Sequence, residues 1–198
     1  MKKDKAYLFI DGTNLYAAQY ELFGPDKYLD FSKLILELEK NLKIKFKKIY
    51  FYASYSPKSQ KPTKKEKEYL KNEAFFYRSV RKTPRVIFFK GYRSKTSGKE
   101  KEVDIKLAVD IVEKASQGEF TILFLLSGDA DFMEALFAAR RLGRKVRVLC
   151  VENKIMYKAF YFFKTYVVSF SRKKFKMKMR KPFKRIILPS NSLGEDCI

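Results

Sequence analysis

Three aspartates stand where chemistry is most readily built into an α/β chain. Asp11 directly follows Tyr7-Leu8-Phe9-Ile10, and Asp129 and Asp131 follow Leu123-Phe124-Leu125-Leu126-Ser127-Gly128. A short continuous apolar run ending in turn residues reads as a strand buried on both faces. Each run stops at a carboxylate with a glycine beside it, and helix formers follow: Leu15-Tyr16-Ala17-Ala18 in one case, Phe132-Met133-Glu134-Ala135-Leu136 in the other. The carboxylates therefore belong at carboxyl ends of strands, where open α/β sheets bind ligands. Oxygen-only donors of this kind suit a hard divalent cation such as Mg²⁺ or Mn²⁺. Beside a phosphodiester, such an ion orients a water for in-line attack and offsets charge on the phosphorus oxygens. A lone aspartate at a helix start can be a mere N-cap, but the second turn carries two. Asp131 stands equally as ligand or cap. Asn14 can cap a helix from Leu15, and Ser127 can satisfy turn backbone. Asp11 has no evident capping partner.

Composition narrows the chemistry. The 198 residues contain no histidine, which removes Ser-His triads, histidine acid–base catalysis and most zinc or copper sites. Cys150 lies in an apolar run and Cys197 near the C-terminus, with no CxxC pair. Neither a zinc site nor a disulfide framework is implied, and a reducing, cytoplasmic setting fits. No uncharged apolar run approaches the roughly 18 residues of a membrane span. Asp11 interrupts the first apolar run too early for a signal peptide.

The net charge is +22, which predicts attraction to polyanions, phosphate backbones first. Any single lysine is more simply a solvated surface group, but the charge comes in runs. Residues 43–71 hold ten lysines, and Lys90, Arg93, Lys95, Lys99 and Lys101 lead up to Asp104. Residues 172–185, beginning Arg172-Lys173-Lys174, hold nine Lys/Arg and no acid. An anionic membrane ranks lower as partner, because the basic tail has no clear amphipathic pattern.

To position these groups the chain must alternate strands and helices. Strands are expected at 6–10, 48–53, 85–89, 121–126, 145–151 and 166–170, a turn and short helix over 11–24, and helices at 31–42, 64–77, 102–116, 131–142 and 154–163. That alternation predicts βαβ units: a central parallel sheet between helical layers, a three-layer α/β/α sandwich. One domain is expected over 1–171 and a flexible basic tail over 172–198. Asp104 falls near a helix start, where the dipole alone favours a carboxylate. Asp110 lies six residues on, about one and two-thirds turns, so the two do not share one face. In the aromatic stretch Tyr157, Phe160, Tyr161, Phe162 and Phe163, most are expected in the core, with a few free to stack on bases.

Taken together, Asp11-Gly12-Thr13-Asn14, Lys101-x-Val103-Asp104 with Asp110, and Ser127-Gly128-Asp129-x-Asp131-Phe132 resemble the NYN domain, a branch of the PIN-like nuclease superfamily, closest to its LabA-like bacterial members. The resemblance spans roughly residues 6–170. It implies a sheet of order 3-2-1-4-5, which brings Asp11 beside Asp129 and Asp131, with Asp104 arriving from the helix before strand 4. It implies a metal-dependent nuclease, RNA favoured over DNA, with Mg²⁺ or Mn²⁺ on Asp11, Asp104 and Asp129, and Asp131 as a fourth acid. Asn14, Ser127 and Lys101 would position phosphate, and Asp110 would support the centre. Arg93, Lys95, Lys99, Arg172, Lys173 and Lys174 are the candidates for the nucleic-acid backbone. One departure is Ala159-Phe160, where similar proteins often carry an aspartate after the alanine. A non-catalytic nucleic-acid-binding member of the same fold is the alternative. A haloacid-dehalogenase-type phosphatase shares Asp11-Gly-Thr but needs an acid where Thr13 stands. A homodimer is left open.

Overall fold

Alternate residues of the central strands are buried on opposite faces. Ala6, Leu8 and Ile10 of the first strand enter one core; Tyr7 and Phe9 enter another. Strand 122–126 divides the same way, with Ile122, Phe124 and Leu126 opposite Leu123 and Leu125. Both runs are apolar throughout because both faces are covered by helices.

The computed structural model describes residues 4–24, 28–91, 102–153, 159–170 and 184–189. Its elements are β1 (Ala6–Asp11), α1 (Gly12–Phe23), α2 (Phe31–Leu42), β2 (Phe46–Ser54), α3 (Lys64–Lys82), β3 (Val86–Gly91), α4 (Val103–Ser116), β4 (Ile122–Leu126), α5 (Met133–Arg141), β5 (Lys145–Val151), β6 (Lys164–Ser169) and β7 (Lys184–Ile187). Short 3-10 turns occupy Ala130–Phe132 and Ala159–Phe162. The sheet order is β3-β2-β1-β4-β5-β6-β7, and every pair is parallel. Helices α1, α2 and α3 pack on one face and α4 and α5 on the other. The expected α/β sandwich and the 3-2-1-4-5 order are both present, with β6 and β7 added beyond β5.

Local chemistry sets several ends. Asp30 caps α2 through Lys33 N, and Thr63 with Glu66 forms a capping box on α3, as short polar side chains do for the free N–H groups of a first turn. Helix α3 runs past the expected end at Tyr77, because Val80 prolongs the buried stripe of Phe76 and Tyr77. Of the expected helix over 154–163, residues 154–158 lie outside the described part, and Ala159–Phe162 form a 3-10 turn.

One expectation is corrected in the segment read as a flexible tail. Lys184–Ile187 is a strand paired with Tyr166–Ser169. Ile186 and Leu188 are buried in the α1–α3 core, which anchors the strand. Residues 172–183 and 190–198 lie outside the described part.

Candidate functional site

β1 and β4 are neighbours in parallel register, Ile10 beside Leu126. Both chains therefore leave the sheet at the same end, and the turns after them touch. Asp11 is 4% exposed. Its Oδ1 accepts from Asn14 N at 2.9 Å, and its Oδ2 accepts from the Ser127 hydroxyl at 3.0 Å. The Ser127 Oγ in turn accepts from Asp129 N at 3.0 Å, and Asp129 Oδ1 accepts from Asp131 N at 3.0 Å. A second link runs from Gly128 N to Asn14 Oδ1 at 3.2 Å. Asp11, Asn14, Ser127, Gly128 and Asp129 thus form one hydrogen-bonded unit across two strand ends.

Two sequence expectations change here. Asp11 is the N-cap of α1, which starts at Gly12 and not at Leu15. Asn14 is therefore no cap: its backbone is capped by Asp11 and its side chain bridges to Gly128. Likewise Asp129, and not Asp131, caps the turn that leads into α5. Capping accounts for one oxygen of Asp11. The burial of the group and the Ser127 hydroxyl on its other oxygen go beyond what a cap requires.

Gly12 lies hard against Phe51 of β2; a Cβ there would overlap the ring. Gly91, at the end of β3, holds the same relation to Val103, the first residue of α4. These two contacts fix where α1 and α4 begin, and so where Asp11 and Asp104 stand. Asp104 is in the first turn of α4 and exposed; Asp131 is also exposed. Among the described residues, no three acidic or cysteine side chains lie close enough together to hold a metal ion.

Asp110 is buried. It accepts from the Tyr52 hydroxyl at 2.7 Å and from Lys106 Nζ at 2.6 Å. Tyr52 is the register partner of Asp11 on β2. Burial first, and then the carboxylate of Asp110, pushes the Tyr52 hydroxyl far above its ordinary value of 10.0. Neither Tyr52 nor Lys106 was apparent as a site neighbour from sequence. The i, i+4 spacing of Lys106 and Asp110 is the signal that existed; the Tyr52 contact is long-range.

Lys101, Arg93, Lys95, Lys99, Arg172, Lys173 and Lys174 lie outside the described residues. Of the aromatic stretch, Phe160 and Phe163 are buried, while Tyr161 and Phe162 are 59% and 63% exposed. They immediately precede β6, whose first residue Lys164 pairs with Arg147 early in β5. The exposed pair therefore sits toward the opposite end of the sheet from Asp11.

A parallel sheet of this order, with carboxylates in the touching turns at the ends of two neighbouring strands, defines an α/β protein with two acidic turns joined by hydrogen bonds. The NYN domain model matches residues 5–169, and the chain belongs to the NYN domain family, a branch of the PIN-like nuclease superfamily. The chain is also similar to the crystal structure of a protein of unknown function from Vibrio parahaemolyticus, with 17% identity and a TM-score of 0.59, covering 86% of this chain and 94% of that one. At that identity the likeness is one of fold. No curated protein matches. Among the described residues, no helix is long and apolar enough to cross a membrane.

Proposed function

We propose that the protein is a Mg²⁺- or Mn²⁺-dependent nuclease acting on RNA. The observation that carries this reading is the Asp11 carboxylate, buried at the joined ends of β1 and β4 and held by a serine hydroxyl as well as by its own helix. Membership in a branch of a nuclease superfamily supports it.

The donor set fits a hard cation, since every candidate ligand is a carboxylate or amide oxygen and histidine is absent. Each oxygen of Asp11 accepts at least one hydrogen bond, and a carboxylate offers about four lone-pair sites. Mg²⁺ is commonly held by one or two carboxylates plus water and substrate phosphate, so a ready-made cage is not needed. Asp11 and Asp129 would hold the ion, with Asp104 and Asp131 at the rim. When bound, the ion supplies charge neutralisation at the phosphate and acidifies a coordinated water.

The protein's own part is positioning. Ser127 fixes the Asp11 carboxylate, and Asp129 N fixes Ser127. Asn14 ties the two turns together, so neither acid can drift from the other. The basic surface would gather the polyanionic substrate. The preference for RNA rests on the family resemblance. A buried, free Cys150 accords with a reducing, cytoplasmic setting.

The exposure of Asp104 and Asp131, and the lack of a three-acid cluster among the described residues, favour a second reading: a nucleic-acid-binding NYN protein that does not cut. One experiment separates the two. Labelled single-stranded RNA and DNA are incubated with wild type, Asp11→Asn and Asp129→Asn in Mg²⁺, Mn²⁺ or EDTA. Metal-dependent cutting lost in both variants is the expected result. Salt-sensitive binding without cutting, unchanged by either substitution, would leave only the second reading.

A further inference from the structure

We propose that the groove between α4 and α5 is a dimer interface, filled by the same face of a second copy of this chain. The groove encloses about 560 Å³. Its floor is small and apolar, formed by Ala108, Val112, Ala135 and Ala138. Val109 on its wall is 52% exposed, and Ile105, one turn before it on α4, is 66% exposed. A groove of this kind on a helical layer invites another helix.

The charges name the occupant. Glu134 and Arg141 both line the groove from α5. They are exposed, and neither has an ion-pair partner among the described residues. Seven residues separate them, about 10 Å of helix and nearly two full turns, so they share one face. Ala138 lies midway between them. A two-fold axis passing near Ala138 sets α5 antiparallel to the partner's α5. Glu134 of each copy then meets Arg141 of the other, twice over, as an isologous contact requires. Ala135 and Ala138 allow the two helices to approach closely where they cross.

Other occupants fit less well. Glu113 lines the groove from α4 and Glu134 from α5, so each wall carries a carboxylate that a phosphate backbone would have to approach. On a chain of net charge +22, most faces of two copies repel one another. Here both signs are present, in a self-complementary order.

The test is sedimentation of the full chain from about 1 to 100 μM, a range that spans weak to moderate dimerisation. Wild type is expected to dimerise. Glu134→Arg and Arg141→Glu each create two like-charge contacts per dimer and are expected to weaken association about tenfold or more. The double variant E134R/R141E restores both pairs with their signs exchanged and is expected to return to near wild-type affinity. Circular dichroism checks that each variant is folded, and both positions are exposed. A wild type that stays monomeric throughout overturns the proposal. So does a dimer indifferent to the single substitutions, or a double variant as weak as the single ones.

Discussion

Ser127 and Asp11 are 116 positions apart in sequence, yet the hydroxyl of one donates to the buried carboxylate of the other at 3.0 Å. Ser127→Ala removes that donor and also the acceptor for Asp129 N. A buried polar group left unpaired costs about 1–3 kcal/mol, and that loss is expected in urea unfolding. Cleavage is expected to fall about 10- to 100-fold, as when a group that orients a metal ligand is lost. Unchanged stability and unchanged activity would sink the role given to this contact.

Gly12 packs against Phe51 with no room for a methyl group. Gly12→Ala is expected to cost about 1–3 kcal/mol through overpacking. A second substitution, Phe51→Leu, opens the space and should recover part of the loss in the Gly12→Ala background. If the two effects simply add, the contact does not govern the start of α1.

Tyr52 donates its hydroxyl to buried Asp110. Tyr52→Phe keeps the ring and removes the donor, leaving Lys106 as the remaining partner described for the carboxylate. A loss of about 1–3 kcal/mol is expected by thermal or urea unfolding. Tyr52→Phe with wild-type stability would show that Asp110 is sufficiently served by Lys106.

Alkali should unfold this protein in a defined window. Burial pushes the Cys150 thiol from 9.0 up to about 12, and burial first raises the Tyr16 and Tyr52 hydroxyls far above 10.0. The folded state keeps these groups protonated, while the unfolded chain releases their protons above pH 9 for the thiol and above pH 10 for the phenols. The unfolded state then binds fewer protons, so stability falls as pH rises. It is fully present below pH 9 and declines through pH 12. Melting temperatures at half-unit steps from pH 8 should show the decline, and Cys150→Ala should delay its onset to about pH 10. The same burial predicts that a thiol reagent reaches Cys150 only on unfolding.

Binding to single-stranded nucleic acid should be governed by salt. Each phosphate contact contributes a slope of about −0.7 in log K against log salt, and five or more contacts give −3.5 or steeper. Fluorescence anisotropy between low and moderate salt measures it. A slope near zero would remove the net charge of +22 from the account of function.

Much of the fold was legible because β1 and β4 are buried on both faces and therefore apolar at every position. The meeting of the turns that carry Asp11 and Asp129 followed from the strand order that the NYN resemblance implies. The start of α1 was not legible. Gly12 and Thr13 are poor helix formers that hide a first turn imposed by packing on Phe51. β7 was hidden for a related reason: four residues in a basic run carry almost no pattern, and only the burial of Ile186 and Leu188 reveals their place. The contact of Tyr52 with Asp110 spans 58 positions, and no local spacing announces it.

The all-parallel sheet has a consequence for the order of assembly. No strand can pair with its neighbour through a hairpin, so each pairing waits for a crossover to be made. β1 is made before the other strands of this sheet yet lies in its interior, between β2 and β4. Its second neighbour exists only once translation has passed Leu126. Until then Asp11 has no Ser127 to hold it, and a nascent chain interrupted before Ile122 lacks the second of the two touching turns.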